Sequence, residues 1–319
     1  MDNYLVKKDN AGALAIPDLM AEWTLYEQAR GSSDTTLTAY KKSMAVFIAW
    51  IKANGLQDPG VIKASDIRRY KKDLSDKYAP QTINLRLTGV RSFFRFLVNT
   101  DRLAINPAAE IEGAKRSKSK RHKREELTSE EVRAVINKCR EDQTPAGKRN
   151  LALLTLMAYC ALRTIEINRA NLDNLKTEQE RMILEVQGKG YQEADEIVII
   201  PRDQEPVIRS WIASRKKISK DGALFISLSN RTKGERLSLK AIRDLVKARY
   251  LAAGVVGDKK TTHSLRHSAI SNAIRNGASP LQVQAMARHA SFNTTLGYIH
   301  SVNRIDNPAE DLIKYMRIA

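Results

Sequence analysis

A short basic run near the middle of the chain restricts the fold more than any other feature. Residues 115–124 read KRSKSKRHKR and contain seven lysines and arginines but no acidic residue. Such a run cannot contribute to a hydrophobic core, and because its like charges repel one another it should be extended and solvated. The remaining chain must therefore build two separate cores. The sequence predicts one domain at 1–113, a linker at 114–126 and a second domain at 127–319.

The first part of the chain carries apolar residues at helical spacing. The pattern predicts helices at 19–29, from 34 or 35 to 55, at 65–70 and at 79–100. Pro80 is typical of the first turn of a helix, and Asn106-Pro107 should end the last one. We therefore expect a small helical domain before the basic run.

The second part of the chain has a mixed pattern. Thr128 and Glu131 form a capping box that starts a helix, and the apolar run 151–164 predicts a buried helix whose last turn delivers Arg163. Residues 181–201 read as strand, glycine-rich turn and strand, with Lys189 between two glycines. Further helices are predicted at 206–215, 239–252, 263–276, 280–289 and 308–316. The predicted fold class is mainly α with a small β-sheet.

The charge of the chain indicates what it binds. A net charge of +18 and a pI of about 9.9 predict a polyanionic partner, and nucleic acid is the favoured one, although membrane-surface proteins share this balance. No apolar stretch is long enough for a membrane helix, and no signal peptide is recognisable at the start. The two cysteines lack metal-ligand spacing and form no disulfide framework, so we expect a cytoplasmic protein.

Four of the five histidines fall within the last sixty residues, and two of them share a helix start with an arginine. His263, Arg266 and His267 are spaced at i, i+3 and i+4, so they should lie on one side of that helix. A zinc site is disfavoured, because the residues between the histidines are Ser-Leu-Arg, without the glutamate that zinc-protease helices carry. Taken alone, this segment is equally compatible with a helix cap that binds surface acids.

Four motifs in a fixed order change that balance. They are ALRTIEI at 161–167, GKG at 188–190, HSLRH at 263–267 and ARHASFNTTLGY at 287–298. Together they resemble the tyrosine recombinase (phage integrase) family over residues 127–300, and the helical first part with the basic linker is similar to that family's core-binding, SAM-like domain. The step of nine residues from His289 to Tyr298 is the family's own. The short segment before the first helix resembles the simpler two-domain, Cre-like or Xer-like layout.

The resemblance implies site-specific cutting and rejoining of double-stranded DNA through a 3′-phosphotyrosyl intermediate. It implies six catalytic positions: Arg163, Lys189, His263, Arg266, His289 and Tyr298. In the family's roles the two arginines clamp the scissile phosphate, the first histidine assists proton transfer and the second hydrogen-bonds the phosphate. The lysine protonates the leaving 5′ oxygen, and the tyrosine is the nucleophile. Glu166 and His267 resemble supporting residues.

Physical chemistry agrees with these roles. Two bidentate guanidinium groups suit the charge that spreads over a phosphodiester under attack. A tyrosine hydroxyl, with a pKa of about 10, needs a base or a cationic environment to act as a nucleophile. Gly188 and Gly190 make the turn that carries Lys189 supple. No metal and no other cofactor is expected, and the chain has no phosphate-binding loop of the Walker type.

The resemblance also implies the architecture and the partners. The two domains would form a C-shaped clamp around a duplex, with a homo-tetramer on paired sites, a tail helix that packs on a neighbouring protomer and accessory proteins as further partners. The linker is then either a solvated tether or, as we favour, a strap along the DNA backbone. The strap residues would be Lys115, Arg116, Lys118, Lys120, Arg121, Lys123 and Arg124.

Two departures from the family pattern lie beside the catalytic positions. Arg288 precedes His289 where the family usually has glycine, and Ala161 stands where glycine commonly precedes Leu-Arg. If the backbone needs a positive φ there, Arg288 would be strained by roughly 1 kcal/mol. It could equally add a phosphate contact.

Two other functions remain open at this point. A type IB topoisomerase-like enzyme would use similar residues as a monomer, without exchanging strands between two sites. A DNA-binding accessory protein that has lost catalysis is a different class, and the complete set of six positions argues against it.

Overall fold

The computed structural model of the chain describes residues 16–56, 58–115, 125–188, 195–215, 219, 221–300 and 302. Its internal contacts divide the chain into two compact units, residues 1–118 and 119–319. Three sets of predictions lie outside the described residues: the linker beyond Lys115, the turn that carries Lys189, and the helix at 308–316.

The first unit is helical throughout its regular elements. Its α-helices are α1 (Ile16–Ala29), α2 (Asp34–Ala53), α3 (Ala64–Ser75) and α4 (Pro80–Asn99). α2 and α4 pack closely along their length, and aromatic side chains fill the space between the helices. Phe47 contacts both Tyr70 and Phe94 edge to face, with ring centroids 5.0 and 6.0 Å apart.

The helix with the largest difference from its predicted bounds is α3. It continues five residues beyond the predicted end because Tyr70 and Leu74 are both buried on its inner face. α4 agrees with its predicted bounds to within one residue, but it is ended by Asp101, which has a left-handed backbone conformation with φ of 55°, and not by Asn106-Pro107. A residue in that conformation cannot continue a right-handed helix.

The second unit combines helices with one small antiparallel sheet, which confirms the predicted fold class. Its helices are α5 (Ser129–Arg140), α6 (Pro145–Tyr159), α7 (Thr164–Arg169), α8 (Glu205–Ser214), α9 (Leu239–Ala252), α10 (Thr262–Arg275), α11 (Pro280–Ala287) and α12 (Phe292–Ile299). Its strands are β1 (Leu175–Glu178), β2 (Arg181–Val186) and β3 (Glu196–Ile199), in the order β1-β2-β3. Within the described ranges, no helix combines the length and apolar character that crossing a bilayer requires.

The sheet contains one strand that the sequence pattern did not predict. β1 is short, polar and largely exposed, so it lacks the alternation that marks a half-buried strand. β2 and β3 were predicted, and their pairing ends with Val186 opposite Glu196. Gln187 and Gly188, the last described residues before the predicted position of Lys189, follow directly after this ladder.

The prediction that Arg163 lies in the last turn of a long helix is wrong. α6 ends at Tyr159, because Ala161 adopts a left-handed conformation with φ of 52° and interrupts the helical hydrogen bonds. Arg163 instead precedes α7 as its N-cap residue, and its backbone N–H donates to the carboxylate of Glu166. The arginine is thus held at a helix start.

A buried polar network joins α1 to α4 in the first unit. The Glu27 carboxylate is 3% exposed and accepts hydrogen bonds from Ser92 Oγ at 2.5 Å and Ser32 Oγ at 2.8 Å. Trp23 Nε1 donates to the same Ser92 oxygen at 3.2 Å. One serine hydroxyl therefore satisfies two buried partners from another helix.

We predict that Ser92→Ala lowers the free energy of unfolding of the first unit by about 1–3 kcal/mol, because it leaves buried partners unsatisfied. Urea denaturation followed by tryptophan fluorescence measures this, since Trp23 and Trp50 both lie in this unit. The exposed Ser75→Ala is the matched control and should change stability by no more than about 0.5 kcal/mol. Equal unfolding midpoints for both variants would contradict the prediction.

Candidate active site

Five of the six predicted catalytic residues lie within the described part of the second unit, on four neighbouring elements. Arg163 begins α7, and His263 and Arg266 lie in the first turns of α10. His289 follows α11, and Tyr298 lies near the end of α12. Lys189 lies outside the described residues.

The Glu166 carboxylate is the centre of the site, with a side chain that is 0% exposed. Its Oε1 accepts from Arg163 Nη1 at 2.5 Å, and its Oε2 accepts from the Arg163 backbone at 2.8 Å and from Arg288 Nη2 at 2.9 Å. Burial alone would raise the pKa of Glu166, but Arg288 and Arg163 outweigh burial and hold that pKa below its usual value. The carboxylate is therefore ionised at neutral pH.

The two predicted clamp arginines are anchored to main-chain carbonyl groups. Arg163 Nη2 donates to the carbonyl oxygens of Arg288 at 3.0 Å and Ala287 at 3.3 Å. Arg266 donates to those of Ala161 and Ala287. Both guanidinium groups are thus oriented by the same short turn between α11 and His289.

These arginines differ in their exposure. The Arg163 side chain is 22% exposed, whereas Arg266 is buried. Burial and the neighbouring Arg163 lower the pKa of Arg266 to about 10, and Glu166 opposes that shift. Arg266 is therefore still a cation at neutral pH, held in place by main-chain acceptors and by one buried carboxylate.

Two of the acceptor carbonyls belong to Ala161 and Arg288, the positions at which the resemblance led us to expect glycine. Ala161 and Arg288 have φ of 52° and 51°, in the left-handed region that favours glycine. Each costs the backbone roughly 1 kcal/mol. The left-handed residues place the carbonyls of Ala161, Ala287 and Arg288 where the clamp guanidiniums bind them.

Tyr298 packs against two imidazole rings. Its ring centroid is 5.2 Å from that of His267 and 5.5 Å from that of His289, and the His289 ring is nearly parallel to it. His289 Nδ1 lies 3.0 Å from Thr295 Oγ1, within hydrogen-bond distance. Burial and Arg163 lower the pKa of Arg266, and Tyr298 opposes part of that shift, so the phenol is within electrostatic reach of this clamp.

Three residues that contribute to the site were not predicted from the sequence. Thr295, which is fully buried, orients His289. Thr164 and Thr262, whose hydroxyl oxygens lie 3.0 Å apart, join the first turns of α7 and α10, directly beside Arg163 and half-buried His263. The run Asn-Thr-Thr shortly before Tyr298 was the sequence signal that could have identified Thr295. No sequence signal could have identified the threonine pair, because its members lie 98 residues apart.

The described residues contain no group of three or more histidine, cysteine, aspartate or glutamate side chains close enough to hold a metal ion. What they bring together is a cluster of three arginines, Arg163, Arg266 and Arg288, around one carboxylate and beside a phenol. We refer to these three residues as the arginine cluster. Such an arrangement suits an anion with several oxygen atoms, and a cationic environment favours the phenolate form of tyrosine.

Comparison with known proteins places the chain among DNA recombinases. Tyrosine recombinase XerD of Lacticaseibacillus casei is 29% identical over 295 residues, which cover 90% of this chain and 94% of that protein. Tyrosine recombinase XerC of Mannheimia succiniciproducens is 27% identical over 288 residues, 88% of this chain and 92% of that protein. The chain therefore resembles both relatives over nearly their whole length.

Solved structures share the fold. XerH site-specific recombinase bound to a palindromic difH substrate has a TM-score of 0.73 at 17% identity, covering 90% of this chain and 82% of that one. The Tn1549 transposon integrase in complex with transposon right end DNA has a TM-score of 0.67 at 15% identity, covering 93% and 98%.

Two family descriptions match the chain. "Phage integrase, N-terminal SAM-like domain" matches residues 22–101, and "Phage integrase family" matches residues 125–304, which is more than half of the chain. The second range contains the arginine cluster, the buried carboxylate and the stacked tyrosine. The chain therefore belongs to the phage integrase family and is a tyrosine recombinase, an enzyme that breaks and rejoins DNA strands.

Proposed function

We propose that this chain is a site-specific recombinase that cuts and rejoins double-stranded DNA through a 3′-phosphotyrosyl intermediate on Tyr298. The observation that carries the proposal is the packing of the Tyr298 ring against both His267 and His289, within electrostatic reach of Arg266. A phenol in that environment combines a nucleophile with groups that bind a phosphate. The family membership of the chain supports the same chemistry.

In this proposal, Arg163 and Arg266 bind the non-bridging oxygens of the scissile phosphate. Their contacts with Glu166 and with the 287–288 turn hold them oriented before DNA arrives. Oriented donors lose little freedom when charge develops on the phosphate, and preorganisation of this kind is usually the largest contribution to catalysis. His289, oriented by Thr295, donates a further hydrogen bond to the same phosphate.

The proposed bond changes balance without an external energy source. The Tyr298 oxygen attacks phosphorus, its proton leaves with help from His263, and the bond from phosphorus to the 5′ oxygen breaks. Lys189 gives a proton to that leaving oxygen. A free 5′ hydroxyl later attacks the phosphotyrosine, reverses each proton transfer and restores the phosphodiester. One phosphoester bond replaces another at each step, so no nucleotide cofactor is needed.

We propose double-stranded DNA as the substrate of this chain. The net charge of +18 and the basic linker, Lys115 to Arg124, suit a polyanionic duplex. The XerH and Tn1549 structures hold DNA, which supports the same partner for this chain. A chromosomal or mobile-element substrate also places the enzyme in the cytoplasm.

The stoichiometry of recombination supports a homo-tetramer on paired sites. Two duplexes present four strands to be cut, and each protomer offers one Tyr298, so four protomers complete the exchange. A solved lambda integrase tetramer bound to a Holliday junction, with a TM-score of 0.64 to this chain, has this number of subunits.

We predict that Tyr298→Phe abolishes covalent attachment to DNA, because the ring lacks the attacking oxygen. The purified protein is incubated with DNA from either side of its own gene, nicked near candidate sites so that rejoining fails, and SDS-stable, protease-sensitive adducts are measured. The half-exposed Tyr159→Phe is the control and should form the adduct normally. An adduct that persists in Tyr298→Phe would assign the nucleophile to another tyrosine. Tight specific binding without any adduct would indicate a non-catalytic DNA-binding protein.

Lys189→Ala should slow cleavage of ordinary DNA by about 10²–10⁴-fold, the usual contribution of a general acid. It should cleave DNA with sulfur in place of the leaving 5′ oxygen at nearly the wild-type rate, because a thiolate leaves without being protonated. Single-turnover rates on the two substrates measure the difference. Lys176→Ala, which removes an exposed lysine of β1, should leave both rates unchanged. Equal slowing on both substrates would show that Lys189 is not the proton donor.

We predict four protomers per pair of DNA sites, measured by light scattering of the complex together with exchange of labelled strands between two duplexes. One protomer per duplex at every concentration, with relaxation of supercoils and no strand exchange, would instead support a type IB topoisomerase-like enzyme.

A further inference from the structure

Arg288 has a backbone conformation that disfavours any residue other than glycine. It ends α11 with φ of 51° and ψ of 53°, which glycine adopts more easily than any residue with a side chain. Its side chain is nevertheless buried, with only 4% of its surface exposed, and lies in the interior of the second unit. Contacts of that side chain must therefore offset the strain.

The Arg288 guanidinium joins three segments of the second unit. Nη2 donates to Glu166 Oε2 at 2.9 Å and to the Ala161 carbonyl at 3.1 Å. Nη1 donates to the Met286 carbonyl at 2.6 Å. These acceptors belong to α7, to the turn after α6 and to the end of α11. With both terminal nitrogens donating to protein acceptors and almost no exposed surface, the side chain is not directed at a DNA phosphate.

The main chain of the same residue completes a closed ring of hydrogen bonds. The Arg288 side chain holds one oxygen of Glu166, and the other oxygen of Glu166 holds Arg163 Nη1. Arg163 Nη2 then donates back to the Arg288 carbonyl. The neighbouring Ala287 carbonyl accepts from Arg266, so both clamp arginines depend on this turn.

A second carboxylate extends the connection to the sheet. Glu196 Oε2 lies 3.9 Å from Arg288 Nε, and Glu196 is the residue opposite Val186 at the end of the β2–β3 ladder. Lys189 follows Val186 by three residues in the sequence. Arg288 therefore hydrogen-bonds the carboxylate that holds Arg163 and forms a longer ion pair with the carboxylate at the start of β3.

We propose that Arg288 is a positioning residue that fixes Arg163 and Arg266 relative to one another and to the start of β3 at Glu196. The inference rests on the proposed function and adds to it a residue that does not touch the DNA. A small displacement of phosphate-binding groups slows the chemical step strongly, whereas duplex binding over the whole protein depends on many other cations. Loss of the Arg288 side chain should therefore reduce cleavage and leave DNA affinity nearly unchanged.

Arg288→Gly tests this directly, because glycine relieves the backbone strain while it removes the guanidinium. We expect covalent adduct formation on nicked DNA to slow by about ten- to hundredfold, with a DNA dissociation constant within about twofold of wild type. Guanidinium chloride at tens of millimolar should restore part of the rate, because the ion fits the vacated site. Urea, which has the same shape without charge, and sodium chloride at equal ionic strength should not.

The controls separate this inference from the proposed function and from misfolding. Arg209→Ala, which removes an exposed arginine of α8, should cleave at the wild-type rate, and guanidinium chloride should not change that rate. If Arg288→Gly does not fold, Arg288→Lys keeps the charge but cannot bridge three acceptors, and it should cleave slowly at normal DNA affinity. A wild-type rate in the variant that folds, without a guanidinium effect, would overturn the inference alone. No adduct from the wild-type protein would overturn the proposed function and this inference with it.

Discussion

The structure of the second unit depends on one buried carboxylate among three cations. Glu166 is fully buried, and its removal would leave Arg163 and Arg288 to repel each other and Arg266 in a medium of low polarity. A buried ion pair contributes little net stability compared with apolar packing, but breaking one is costly because a bare charge remains. Glu166 is therefore best understood as the group that allows three arginines to occupy one small volume. The concentration of positive charge beside Tyr298 follows from it.

The same site depends on two short stretches of left-handed backbone. At Ala161 and at Arg288 the chain reverses direction and presents carbonyl oxygens to the guanidinium groups of Arg163 and Arg266. These are also the two positions at which the resemblance led us to expect glycine. At Ala161 the side chain is a single, fully buried methyl group. At Arg288 the side chain takes part in the network that the backbone creates.

How much of this could be predicted from the sequence depends on where the information lies. The bounds of α9 and the capping box of Thr128 were predicted correctly because periodicity and caps are local signals. β1 and α12 were missed, since one lacks an apolar face and the other is rich in weak helix formers. Motifs identified the candidate catalytic side chains because residue type carries chemistry. The carbonyl groups that orient Arg163 and Arg266 could not be predicted from the sequence. Every residue has a carbonyl group, and only the backbone conformation determines which of them face the two arginines.

The geometry of α12 explains why nine residues separate His289 from Tyr298. Thr295 and Tyr298 lie three positions apart and both face inward, one on the imidazole nitrogen and the other on the imidazole ring. One residue inserted into this helix before Tyr298 would rotate the tyrosine by about 100° around the helix axis and raise it by about 1.5 Å. The phenol would then move away from His267 and His289. The helical repeat therefore fixes the number of residues from His289 to Tyr298, whereas the residue types at the intervening positions can vary.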